Sequence, residues 1–213
     1  MSSNSLVSIL AGPEEEWIRD DVLSRRMPQL LDEVLKHFPD EDLSLYKEKA
    51  KSSLIPNPFI LEKSDKEPLI FLAGLIHREY AIMLLVGILG IRVTDEGRAV
   101  IGEGDEERDV TAGVLNLIPQ LTSACALSIR DLSVVKSYAE EIGELLNVVA
   151  LLMYLSVVLR SPPTLEKILS TMAYTMERVR DANIRNLIGE RMSKELRELG
   201  LKRIAEEFLK IGK

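Results

Sequence analysis

A chain of 213 residues with 46% hydrophobic, 29% charged and only 5% aromatic side chains is long enough to bury a sizeable core, and its Leu, Val and Ile favour packed helices over a β-sandwich. The net charge of −7 is not that of a generic nucleic-acid binder, but it is unevenly spread: residues 1–67 carry 9 basic and 14 acidic side chains, 68–176 carry 8 and 13, and 177–213 carry 10 and 7. The lone Cys125 excludes an intrachain disulfide framework, and the N-terminus has no basic n-region and too short an apolar run for a signal peptide, so a reducing, cytoplasmic location is expected.

Pro13 followed by Glu14, Glu15 and Glu16 predicts a helix start, because proline suits the first turn and acids suit the positive end of the helix dipole. This helix runs towards Phe38 on Trp17, Val22, Leu30, Leu31, Val34 and Leu35, and Pro28 is expected to kink or divide it. A short, mostly polar helix is expected from Asp40 to about Leu54. The following IPNPFILEKSDKEP holds three prolines and a polar cluster, and reads as an extended linker. The chain therefore divides into an acidic helical arm (1–54), a linker (55–67) and a helical core (68–213).

LIFLAGLIHREYAIMLLVGILGI, residues 69–91, is long enough to span a bilayer, but His77-Arg78-Glu79 sits at its middle. Each charge there costs about 2.5–3.5 kcal/mol on insertion scales, so a buried core helix is predicted instead. LLNVVALLMYLSVVL, residues 145–159, lies between Glu144 and Arg160. At about 1.5 Å per residue it reaches roughly 22 Å, short of a hydrocarbon core of about 30 Å, so no membrane is expected.

GIRVTDEGRAVIGEG, residues 90–104, departs from this helical pattern. IRVT and RAVI read as strands around Asp95-Glu96-Gly97, a β-hairpin over about 91–101 with Gly97 in the left-handed position. Two isolated strands are marginal in water, so they must lie on the helical core or pair further. The segment LGIRVTDEGRAVI also resembles the end of many winged-helix transcription factors, where a wing strand closes with a T-x-x-G-R-type turn into a helix. The resemblance implies a helix over Asp95 to Ile101, capped by Thr94, and nucleic-acid binding. The chain departs from that family, since a wing needs two strands after the recognition helix and the helix before Ile91 is too apolar to read a major groove.

Asp109 or Thr111 is expected to cap a helix to about Ile129, kinked near Pro119. Asp131 is expected to cap the next, which runs to Arg160 on a stripe of Leu132, Val135, Ile142, Leu145, Leu146, Val149, Leu152 and Met153. SPPT stops it, and Thr164 starts another. Leu165, Ile168, Leu169, Met172, Met176 and Val179 share one face, whereas Ile188, Met192, Leu196 and Leu199 share another. A bend or break is therefore predicted within DANIRN, residues 181–186. Gly200 is a C-cap, and LKRIAEEFLKI closes the chain as an amphipathic helix.

Catalytic signatures are lacking. Neither G-x-G-x-x-G nor G-x-x-x-x-G-K-[ST] occurs. His37 and His77 form no H-x-x-x-H or E-x-x-H pair, His77 and Glu79 point to different helix faces, and Cys125 has no histidine at a family spacing. Glu103, Asp105, Glu106, Glu107 and Asp109 are the right type for a hard cation, but their spacing is not that of a calcium loop, and a solvated acidic loop is expected. No catalytic, cofactor-binding or metal-binding residue is assigned, and an enzyme is not expected. Few Asn, Gln, Cys and His residues in charge-rich helices are compatible with a thermophilic source.

Stretches apolar nearly all round require a thick core or an interface. The expected function is thus a non-catalytic helical interaction or assembly protein, either a homo-oligomer or a subunit of a larger complex. The alternative is an accessory subunit of a nucleic-acid-binding complex, with Arg178, Arg185, Arg191, Lys194, Arg197, Lys202 and Arg203 on phosphate. A helical chain with one hairpin is similar in type to the small helical subunits of archaeal CRISPR effector complexes, a likeness of type that no motif carries. The same cations can instead form i,i+4 ion pairs, for which Glu190 and Lys194 are spaced.

Overall fold

The apolar stripes fold as helices around one buried helix in the computed structural model, which describes residues 20–35, 91–134 and 138–213. The described elements are α1 (Asp20–Leu35), β1 (Arg92–Val93), β2 (Ala99–Ile101), β3 (Arg108–Asp109), α2 (Thr111–Leu132), α3 (Ala139–Val158), α4 (Pro162–Arg178), α5 (Ala182–Glu198) and α6 (Lys202–Gly212). The expected class, a mainly α bundle with a small β-hairpin, is what the described residues form.

α3 is central because it is apolar on every side. Val149 through Val157 are buried without interruption, and α1, α2, α4 and α5 all pack on it. α5 and α6 run antiparallel and close together. A Cβ on Gly189 of α5 would stand 2.9 Å from the Phe208 carbonyl oxygen of α6, so only glycine permits this approach. The α6 stripe of Ile204, Ala205 and Phe208 closes that side of the core.

The hairpin forms as its turn chemistry demands. Thr94 N–H donates to the Arg98 carbonyl at 2.8 Å, Gly97 N–H donates to the Thr94 carbonyl at 2.9 Å, and Gly97 has φ +78°. β1 and β2 are antiparallel, with Arg92 opposite Val100 and Val93 opposite Ala99. The helix that the winged-helix resemblance implies over Asp95 to Ile101 is absent, because those residues are the turn and β2. A third strand, β3, pairs antiparallel to β2, with Val100 opposite Asp109 and Ile101 opposite Arg108. It comes from the segment expected to be only an acidic loop. Ala99 and Val100 of β2 are buried, and Ala99 N–H donates to Thr111 Oγ1 at 2.9 Å at the start of α2. At the other end, Arg160 donates to the Asp95 carbonyl at 3.1 Å, fixing the turn to the end of α3.

Several boundaries differ from expectation. α1 is continuous through Pro28. Asp131 does not cap α3; it lies in the last turn of α2, and α3 begins at Ala139 and ends at Val158. α4 begins at Pro162, two residues ahead of Thr164, since prolines fit positions whose N–H has no helical partner. The break expected within 181–186 spans residues 179–181, meeting that segment at Asp181. The Asp181 carboxylate accepts from Asn183 N–H at 2.8 Å and Ile184 N–H at 3.2 Å, so capping starts α5 at Ala182 despite the poor helix formers. Gly200 ends α5 with φ +83°, and Leu201 N–H reaches the Leu196 carbonyl at 2.8 Å. The helix start at Pro13, the helix over 40–54, the linker 55–67, the apolar run before Ile91, and both histidines lie outside the described residues.

Candidate functional site

Among the described residues, a buried polar cluster joins α1, α3 and α5. Arg26 Nε donates to Glu195 Oε2 at 2.9 Å, and Arg26 Nη2 donates to Glu195 Oε1 at 2.6 Å, a two-pronged pair with side chains only 8% and 5% exposed. Tyr154, fully buried in α3, donates its hydroxyl to Glu195 Oε2 at 3.3 Å. Arg26 Nη1 reaches Glu33 at 3.3 Å, and the more exposed Arg25 meets Glu198 at 3.4 Å. Hydrogen bonding to Glu195 holds the Arg26 pKa above its ordinary value, against the opposing effect of burial. Burial first, and then the Glu195 charge, pushes the Tyr154 phenol up. The hydroxyl thus remains a donor. Every polar atom in this group that is named here has a partner, and the arrangement ties α1, α3 and α5 together.

Sequence reasoning assigned no role to these residues, although a signal existed. Glu195 lies three residues after Met192 and four before Leu199, inside the apolar stripe of α5. Arg26, Leu30 and Val34 recur every four residues along α1. A charge on an apolar stripe is expensive unless paired, which makes such positions worth matching with an opposite charge elsewhere.

The structure divides the predicted cationic residues into two groups. Three are engaged. Arg178 lies over the Tyr174 ring with its guanidinium carbon 3.2 Å from the centroid. Arg185 donates to the Val179 and Arg180 carbonyls at 2.8 and 3.0 Å, bracing the junction between α4 and α5. Arg191 donates to Asn147 Oδ1 at 2.6 Å, tying α5 to α3. Lys194 and Arg197 on α5, and Lys202 and Arg203 on α6, are exposed, with no ion pair among the described residues. The i,i+4 pairing of Glu190 with Lys194 is therefore not formed.

Glu103 through Asp109 are all exposed around a short 3₁₀ turn, Gly104–Glu106. Glu107 pairs with Arg92, and Asp109 accepts from Thr111 N–H at 2.9 Å; the Thr111 hydroxyl first, and then this N–H, lower the Asp109 pKa. Among the described residues, no group of three or more His, Cys, Asp or Glu side chains is placed to hold a metal ion. Cys125 is buried in α2, and desolvation pushes its thiol up to about 12, far from a nucleophile at neutral pH.

Uncharged surface is the other distinctive feature. From Thr111 to Ile129, α2 contains no charged residue, yet only 50% of its apolar window is buried. α2 and α3 are both long and apolar enough to cross a membrane by length and composition, and 67% of the α3 window is buried inside the bundle. No protein-family model, curated protein or solved structure matches the chain.

Proposed function

We propose that the protein is a non-catalytic helical assembly protein of the cytoplasm that docks on another copy or a protein partner through α2, without entering a membrane. The observation that carries this reading is the charge-free stretch of α2 from Thr111 to Ile129, on which Ala112, Asn116 and Gln120 are exposed and the remaining residues outside the core are half-buried. A helix face that meets only water normally alternates charge with its apolar stripe. Asn116, Pro119, Ser123 and Leu127 fall at three- and four-residue spacing on the less buried side, and offer a neutral, shallow surface that a partner can cover with little desolvation cost. Light scattering of the purified chain at micromolar concentration tests the self-docking form. A mass above 23.9 kDa that falls to 23.9 kDa when Asn116→Glu and Leu127→Arg are introduced is the expected result. A parent chain already at the monomer mass overturns self-docking and leaves a different protein as the partner to be sought.

One observation favours a second reading, an accessory subunit that contacts nucleic acid. Lys194, Arg197, Lys202 and Arg203 are exposed without an ion pair among the described residues, and the Tyr174–Arg178 stack stands at the surface of α4. Each phosphate neutralised on duplex DNA contributes about −0.9 to the log–log salt slope. Replacing Lys194, Arg197 and Lys202 by Gln should flatten that slope by up to about three units if all three touch phosphate. No retention on single- or double-stranded nucleic acid at low salt sinks this reading for the isolated chain.

A further inference from the structure

We propose that Arg25 of α1 is a positioning residue for a phosphate-binding turn: by holding the Glu198 carboxylate, it keeps Lys194, Arg197, Lys202 and Arg203 open to the sugar–phosphate backbone of a nucleic acid, whatever its sequence. This rests on the second reading above, and adds to it the mode of contact and the residue that regulates it.

The four cations stand at one end of an antiparallel pair of helices. Lys194 and Arg197 lie in the last two turns of α5, Gly200 reverses the chain, and Lys202 and Arg203 open α6. A helix start disfavours cations, because its N–H groups already give it a positive end, and no side chain caps this one. Two cations in the first turn of α6 therefore go against the local electrostatics, a pattern expected where residues serve a ligand rather than stability. From Lys194 to Arg203, every exposed side chain is one of these four. No Asn, Gln or aromatic side chain stands exposed among them to read an adenine edge or to stack on a base, so the contact is with the backbone.

Neighbouring acids decide whether such cations are free. Glu198 lies four residues after Lys194 on α5, the spacing at which side chains on a helix surface meet. It is instead met by Arg25 Nη2 at 3.4 Å, while Glu195, next to Lys194, is enclosed by Arg26 and Tyr154. α1 thus takes up both acids of the last turns of α5. Glu190 and Glu206, before and after the patch in the chain, are exposed, and among the described residues neither pairs with it. Without Arg25, the Glu198 carboxylate is left beside Lys194 and competes with phosphate for it. The Arg25 side chain is 62% exposed, so this pair can be altered at little cost to folding.

Binding of the full chain to a labelled oligothymidylate and to labelled duplexes of unlike sequence, followed over a range of salt concentrations, tests this. Thermal melting of each variant separates a folding loss from a binding loss. Arg25→Gln should weaken binding at low salt and flatten the log–log slope on duplex by about 0.9, the weight of one phosphate contact. Arg25→Lys should bind like the parent, because it keeps a cation beside Glu198. Arg25→Gln combined with Glu198→Gln should restore the parent slope. Arg130→Gln, at the end of α2, removes the same charge from another element and should leave the slope unchanged. A loss that persists in the double variant makes Arg25 a direct contact and overturns its positioning role. Parent binding that Arg25→Gln leaves untouched overturns this inference while the second reading stands, and a parent that binds neither probe at low salt removes both. Affinities that differ between the duplexes overturn contact with the backbone alone.

Discussion

At Glu195 and Arg26, stability depends on pairing, because neither charge reaches water. Removing Arg26 leaves Glu195 buried without an opposite charge, so Arg26→Met alone should cost about 3–5 kcal/mol in urea unfolding. Replacing both together, Arg26→Met with Glu195→Leu, should cost far less, since no orphan charge remains. If the two changes prove equally damaging, the ion pair does more than satisfy its own burial. Tyr154→Phe removes a single hydroxyl at 3.3 Å from Glu195 and should cost about 1 kcal/mol. Cys125 supplies a pH effect of known sign. Burial pushes its thiol up to about 12, whereas an unfolded cysteine titrates near 8.5. As pH rises the unfolded chain loses this proton first, so the stability linked to Cys125 is whole below about pH 8.5 and is lost progressively towards pH 12. Cys125→Ala should lack that alkaline decline when urea midpoints are compared at neutral and alkaline pH.

At the scale of elements, two glycines of left-handed conformation separate backbone strain from steric contact. Gly97 has φ +78°, and a Cβ there would stand 2.9 Å from the Val158 carbonyl oxygen; Gly104 has φ +56° and nothing within 4 Å. Alanine at either position carries the left-handed penalty of about 1–2 kcal/mol. Gly97→Ala must also push the hairpin turn off α3. It should therefore lower the urea midpoint further than Gly104→Ala does, and equal losses would show that the turn does not press on α3. At the junction of α4 and α5, Asp181→Ala removes the acceptor for two N–H groups and should cost about 0.5–2 kcal/mol.

For the whole molecule, accessibility to protease should follow burial. Glu103, Glu106 and Glu107 stand exposed around the 3₁₀ turn, whereas α3 is enclosed by four helices. A glutamate-specific protease should therefore cut within residues 102–109 before it cuts at the half-buried Glu141 or Glu144. Early cleavage within α3 would mean that this helix opens while the rest stays folded. The two faces with functional proposals lie on different elements: the neutral side of α2, and the exposed cations of α5 and α6. Each can be altered without touching the residues of the other.

The helical class, the hairpin with Gly97 at its turn, the end of α5 at Gly200 and a break near Asp181 were legible because each rests on signals within a few residues: apolar periodicity, a left-handed glycine, a capping carboxylate. Other features depend on partners distant in the chain. β3 is charged and short, and becomes a strand only because β2 offers it an unpaired edge. Asp131 has the chemistry of a cap, but α2 continues through it. Seven C-terminal cations look alike in the sequence. Only the folded chain shows Arg185 and Arg191 engaged on carbonyl and amide oxygens while Lys194, Arg197, Lys202 and Arg203 remain exposed. Arg26 and Glu195 stand 169 residues apart, and no local rule pairs them. Helix periodicity marks which face is buried, whereas the choice of what it is buried against is made by packing across the whole chain.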